Sequence, residues 1–189
     1  MKRILMTHFM ATTKLNDYKI GFTDQFFFDT NVWLLLFGTV ADYQKKDQEQ
    51  YSKFLEQLLT QDKPIFLTSM VLSEFSNVIL RRDFNQWIDN NNLNSQNFKK
   101  DFVGTANYKN SVESITIAIN KILKLPIVTG VGDNFNSVNK DSILDDFKIV
   151  DFNDAYIAEL CLKSNYKVVT NDKDFQLLSA KIEIITTQV

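Results

Sequence analysis

The chain has 189 residues, enough for one domain of ordinary size with a proper core, whereas a second full domain would leave both undersized. Its net charge of −2 at pH 7 means that a nucleic-acid partner would need a local basic surface rather than a generally cationic protein. A single cysteine, Cys161, excludes an intramolecular disulfide and a Cys-rich zinc site, and its place in an apolar stripe reads as a buried structural thiol.

Residues 1–22 show no clear period and are read as an N-terminal extension, either a short arm or an extra strand. The start is charged, but the apolar run Ile4-Leu5-Met6 stops at Thr7-His8, too short for a secretory core segment. No window approaches the ~20 apolar residues of a spanning helix, so the cytoplasm is the expected compartment and no membrane is expected as a partner. The run Phe26-Phe27-Phe28 predicts the first, buried strand, and Val32–Phe37 a turn into a helix. The unusually apolar Trp33-Leu34-Leu35-Leu36-Phe37 fits a buried helix better than a groove for a partner peptide. A helix is predicted over Asp47–Leu59, with Tyr51, Phe54, Leu55, Leu58 and Leu59 on one face. Pro64 then breaks the chain before strand Ile65-Phe66-Leu67.

Thr68 or Ser69 can cap the next helix, predicted to run to Arg82 with Val71, Leu72, Phe75, Val78 and Ile79 in one stripe. Glu74 lies one turn from Val71 and Val78 and so borders that stripe. Residues 83–148 form a long helical and loop insertion in this reading. Helical character is weak at Asp83–Ile88 and Asn97–Phe102 and clear over Asn107–Leu123, where Val112, Ile115, Ile119 and Ile122 recur. Residues 129–146, with Gly130 and Gly132 among Asn, Asp and Ser, read as a loop. A brief extended stretch, Ile149-Val150, precedes Asn153, which can cap a helix over Asp154–Ser164. Strand Val168–Thr170, a turn of helix near Asp174–Leu178 and a last strand Ile182–Ile185 complete the chain. Alternating strands and helices predict an α/β fold on a mainly parallel sheet covered on both faces.

Four acids recur in informative places. Asp29 follows the first strand, Asp172 follows Val168–Thr170, and Glu74 and Asp154 stand early in helices. Carboxylates beyond strand ends and near helix starts describe an acidic pocket at one sheet edge. Like charges do not gather cheaply there unless some are protonated or a divalent cation neutralises them. Oxygen donors suit Mg²⁺ or Mn²⁺, and such a site suits hydrolysis of phosphate esters without a histidine base. The lone histidine, His8, lies in the unpatterned arm and reads as a bystander. Each acid also has a plain structural reading: Asp29 as a cap, Glu74 as a helix-surface residue, Asp154 as a partner of the helix dipole, Asp172 and Asp174 as members of a polar turn.

Four segments together resemble the PIN-domain nucleases: Phe28-Asp29-Thr30-Asn31-Val32, Ser69-Met70-Val71-Leu72-Ser73-Glu74-Phe75, Asn153-Asp154-Ala155-Tyr156-Ile157-Ala158 and Val168-Val169-Thr170-Asn171-Asp172-Lys173-Asp174-Phe175. They stand in the family's order across residues 23–189. The resemblance implies a three-layer α/β/α sandwich in a single PIN-like domain and Mg²⁺- or Mn²⁺-dependent hydrolysis, usually of RNA. It assigns catalysis and metal binding to Asp29, Glu74, Asp154 and Asp172, with Asn31 and Thr170 as polar supports and Asp174 as an auxiliary acid. Asp151 falls outside the motif and is expected to cap. Among such proteins the chain looks most like VapC-type toxin ribonucleases, which implies an antitoxin partner and a homodimer. The N-terminal extension and the long 83–148 segment depart from the compact toxin pattern.

Arg81 and Arg82 are the candidate substrate-binding cations, Arg81 two turns beyond Glu74 and so able to lie along the same helix face, pointing away from the acids. Phe84, Trp87, Phe98, Phe102 and Tyr108 can stack on bases, but are better read as a small core within the insertion. The competing function is a catalytically silent PIN-shaped module that binds nucleic acid or protein. An aspartyl phosphatase would ask for a second Asp two residues after Asp29, where this chain has Asn31.

Overall fold

The computed structural model describes residues 12–38 and 45–189. Among these, β1 (Thr12–Lys14), β2 (Phe26–Phe28), β3 (Ile65–Leu67), β4 (Val128–Gly130), β5 (Lys167–Val169) and β6 (Ile184–Thr186) form one sheet in the order β1-β6-β5-β2-β3-β4. Every pairing is parallel. All three phenylalanines of β2 are fully buried, the double-faced burial that a central parallel strand requires. Each strand is only three residues long, so stability comes from the helices packed over the sheet rather than from ladder length.

Helices α1 (Thr30–Phe37), α2 (Lys45–Thr60), α3 (Ser69–Asn90) and α4 (Ala106–Leu123) fill the steps from β2 to β3 and from β3 to β4. The steps to β5 and on to β6 run back across the sheet, the first carrying α5 (Lys140–Asp146) and α6 (Phe152–Ser164). Right-handed crossovers running in opposite directions put these two sets on opposite faces, which yields the three-layer α/β/α sandwich. The packing agrees: α1 touches α2, α3 and α4, while α5 touches α6. Cys161 is buried in α6, as its apolar surroundings predict. No described helix is long and apolar enough to cross a membrane.

Several predicted elements change shape. The N-terminal extension contributes β1, paired to β6, so part of it is an edge strand of the main sheet. His8 lies outside the described residues. Asp83–Ile88 is the end of one 22-residue helix, α3, rather than a separate weak segment. Val78 and Val112, expected in apolar stripes, are exposed. Thr68 holds the N-cap position of α3 without making a side-chain cap bond. The predicted loop over 129–146 contains the end of β4 and all of α5. Ile149-Val150 is a turn rather than a strand, and the C-terminal strand is Ile184–Thr186. Much of 83–148 is thus built into the sandwich, since β4 extends the sheet and α4 buries Ile115 and Ile122.

Candidate functional site

The strand order reverses beside β2. From β2 the chain moves outward through β3 to β4, whereas β5 and β6 lie on the other side. In open α/β sheets the crevice at such a switch, beyond the carboxyl ends of the strands, is where ligands bind. Asp29 follows β2 and Thr170-Asn171-Asp172 follows β5, and the Asp29 N–H donates to the Val169 carbonyl at 3.0 Å. Sheet register therefore puts two of the sequence-predicted acids at the mouth of that crevice.

Asp29 is 3 % exposed and N-caps α1. Its Oδ1 accepts from Thr30 N–H at 2.6 Å, and its Oδ2 accepts from Thr170 Oγ1 at 2.9 Å and Asn31 Nδ2 at 3.2 Å. Burial raises its carboxyl to about 6 against the lowering pull of the Thr170 and Thr30 bonds, with Glu74 and Asp172 adding repulsion. Asn31 Nδ2 also reaches Asp172 Oδ2 at 3.3 Å, so one amide nitrogen ties the two strand-end acids together. Asp172 is fixed from its own loop: its N–H donates to Thr170 Oγ1 at 2.9 Å, and its Oδ1 accepts from Asp174 N–H at 2.9 Å. The Asp174 residue is exposed and supports the loop through its backbone.

The other two acids arrive from helices. Glu74 sits in the second turn of α3, where Thr30 Oγ1 donates to its Oε2 at 3.0 Å and Asn153 Nδ2 approaches the same oxygen at 3.4 Å. Asp154 is 9 % exposed, and its N–H donates to Asp151 Oδ1 at 2.9 Å, the cap expected of Asp151. Among the described residues no hydrogen-bond donor stands on the Asp154 carboxylate. Burial, then the charges of Asp29, Asp151, Asp172 and Glu74, push it up to about 8. Asp29 feels the charges of Glu74 and Asp172, and Asp154 those of Asp29, Glu74 and Asp172, so the four acids expected from the sequence share one neighbourhood.

The chemistry of this set fits a divalent cation: hard oxygen donors, crowded charge and, at Asp154, a carboxylate with no described donor. Among the described residues, however, no three His, Cys, Asp or Glu groups are drawn closely enough to wrap a metal as they stand. Mg²⁺ needs one or two direct carboxylates with water completing its shell, which the Asn31-bridged pair can provide.

Thr30 and Asn153, which steady Glu74, do not stand out in the sequence as supports, where Asn153 reads as a cap. The signal available for Thr30 is its place between Asp29 and Asn31. Tyr51 is a third omission, a fully buried ring whose hydroxyl donates to the Thr170 carbonyl at 2.6 Å. Its apolar periodicity in α2 hid that polar task.

Arg81 and Arg82 part company. Arg81 shares a cavity of about 510 Å³ with Glu74 and Asn153, on the acid side of α3. Arg82 lines a different hollow between α3 and α4 and pairs with Asp83 at 2.8 Å. The aromatics Phe84, Trp87, Phe98, Phe102 and Tyr108 pack on one another, the small core expected of them.

Residues 26–181 match the family model described as PIN domain. Among solved structures, PAE2754 from Pyrobaculum aerophilum is similar over 87 % of this chain and 85 % of its own, with 11 % identity and a TM-score of 0.48. VapBC2 from Rickettsia felis, bound to a DNA fragment from their promoter, is similar over 85 % of this chain and 97 % of its own, with 14 % identity and a TM-score of 0.46. No curated protein matches the sequence.

Proposed function

The chain belongs to the PIN domain family, whose members are in general nucleases using divalent metal ions, and from that premise we propose that it is an Mg²⁺- or Mn²⁺-dependent endoribonuclease. The observation that carries this reading is the gathering of Asp29, Glu74, Asp154 and Asp172 near the switch point, with no described donor on the Asp154 carboxylate. We assign these four residues to metal binding and catalysis, with Asn31, Thr170 and Asp174 in support. A bound cation would polarise the scissile phosphate and lower the pKa of an attacking water.

The chain's own residues supply the frame for that chemistry. Asn31 holds the Asp29 and Asp172 carboxylates on one amide nitrogen, so neither is free to turn away when a cation enters. Thr30 and Asn153 hold Glu74 from two sides. Burial and the neighbouring acids raise the Asp154 carboxyl to about 8, and a bound cation would favour its carboxylate form. The substrate RNA, the toxin role and an antitoxin or second copy as partner belong to the same proposal.

A silent PIN-shaped binding module is the second reading. The looseness of the acid set, with no three groups in ligating array, is the observation on its side. Purified protein and its Asp29→Asn and Asp172→Asn variants, incubated with single-stranded RNA and Mg²⁺ or Mn²⁺, separate the two. Cleavage by the wild type alone is expected; equal cleavage by all three would overturn the mechanism, and no cleavage with Mn²⁺ binding absent would favour the module. Growth arrest on induced expression, absent from Asp29→Asn, tests the toxin role.

A further inference from the structure

The cavity beside Glu74 is not a simple pit. Its walls include Met70, Ser73, Glu74, Asn77, Val78 and Arg81, spaced three or four residues apart, so they are one continuous face of α3. Asn153 of α6 closes the acid end. Seven residues of helix separate Glu74 from Arg81, about 10 Å along the axis. That is too far for one phosphate group to meet both. The hollow holds about 510 Å³ along this face.

Arg81 is prepared at the far end. Its guanidinium lies over the Phe98 ring, 5.3 Å from the centroid. Phe98 begins a short π-helical turn, Phe98–Phe102, and its ring is held edge-on by Phe84 at 5.3 Å and Tyr108 at 6.5 Å. The turn is closed by Asn97, whose side chain accepts from the N–H groups of Lys99 and Lys100. Lys99 and Lys100 are exposed on this turn, which also carries Asp101. Among the described residues no carboxylate pairs with Arg81, in contrast to Arg82 on the neighbouring face. A cation oriented by an aromatic ring and left unpaired at the end of a groove is a seat for an anionic group.

We propose that the α3 groove carries a single strand of RNA away from the acids, with Arg81, steered by Phe98, binding a phosphate beyond the scissile one. The groove then has polarity: carboxylates at one end, where the bond is cut, and guanidinium at the other, where the strand is gripped. Ser73 and Asn77, exposed between them, offer hydrogen bonds to the intervening ribose and its 2′-hydroxyl. This rests on the nuclease reading for its scissile end, but the grip itself is measurable without turnover.

The test is anisotropy of a labelled, random-sequence single-stranded RNA pool, titrated with protein in EDTA across a range of salt. Arg81→Ala is expected to weaken binding about tenfold, the size of one charged hydrogen bond. It should also flatten the slope of log affinity against log salt by about 0.7, one single-strand phosphate contact. Phe98→Leu keeps the charge and most of the packing; it is expected to weaken binding about threefold with the wild-type salt slope. Wild type should bind duplex RNA at least about tenfold more weakly than the single strand. In cleavage with Mn²⁺, Arg81→Ala should raise KM and leave kcat within about twofold. Unchanged affinity and slope in Arg81→Ala, or a kcat loss at constant KM, would overturn the groove even if the wild type cuts RNA. Arg81-dependent binding by a wild type that cuts nothing would uphold the groove and overturn the nuclease.

Discussion

Removing the Asp29 charge should disable the enzyme and stabilise the metal-free protein, and the second effect depends on pH. The Asp29 carboxyl is raised from 3.8 to about 6, chiefly by burial. A raised acid contributes stability that is complete below its unfolded pKa and is lost as pH rises through its folded one. At 1.36 kcal/mol per unit, a shift of about two units costs the metal-free wild type about 3 kcal/mol by pH 8, most of it between pH 4 and pH 7. Asp29→Asn escapes that loss but disturbs the hydrogen bonds. Thr170 Oγ1 already accepts from Asp172 N–H, so its own proton must go to Asp29 Oδ2, where an Asn side chain can present an amide donor instead. That conflict costs about 1 kcal/mol at all pH values. The net expectation is a variant slightly less stable than wild type at pH 4 and about 2 kcal/mol more stable at pH 8. For a domain of this length that is a relative rise in Tm of roughly 4–8 °C, read by thermal denaturation in EDTA. Mn²⁺ should reverse the order at pH 8 by binding the wild type far better. A difference between variant and wild type that does not grow from pH 4 to pH 8 without metal would refute the crowded, desolvated acid on which the site rests.

Asn31→Ala should lower Mn²⁺ affinity and cleavage about 10- to 100-fold, since it frees Asp29 and Asp172 to move apart; calorimetric titration checks the affinity. Lys181→Met should cost about 2–3 kcal/mol in urea unfolding, because Lys181 meets Glu159 at 2.8 Å and Asp146 at 2.5 Å, and the 6 %-exposed Glu159 would lose its cation and keep only the Asn139 N–H. Adding Glu159→Gln to that variant should recover part of the loss, and no recovery would place the effect elsewhere. Tyr51→Phe should cost about 1–2 kcal/mol by leaving the buried Thr170 carbonyl without its donor, and should weaken Mn²⁺ binding as the Asp172 loop loosens.

The placement of the four acids was more legible in the sequence than the scaffold around them, and the reason is physical. Asp29 and Asp172 are tied to strand ends by chain connectivity, so finding Phe26–Phe28 and Val168–Thr170 was enough to place them beyond the sheet. Glu74 and Asp154 follow from helix periodicity in the same way. What periodicity cannot carry is an element with little to bury. In β4 no residue is fully buried, and in α5 only Ile143 is, so neither leaves a pattern against the polar background of 129–146. The contact of Arg81 with Phe98 is illegible in the sequence for a different reason. Helical spacing gives the face of a residue relative to Glu74, but which way its long side chain leans depends on what waits at its tip. Here that is Phe98, seventeen residues on, brought back by a turn whose own core of Phe84, Phe102 and Tyr108 is non-local. The basic end of the groove is therefore a tertiary property. It is set by residues 84–108, apart from the four acids, which are anchored to the sheet and the starts of two helices.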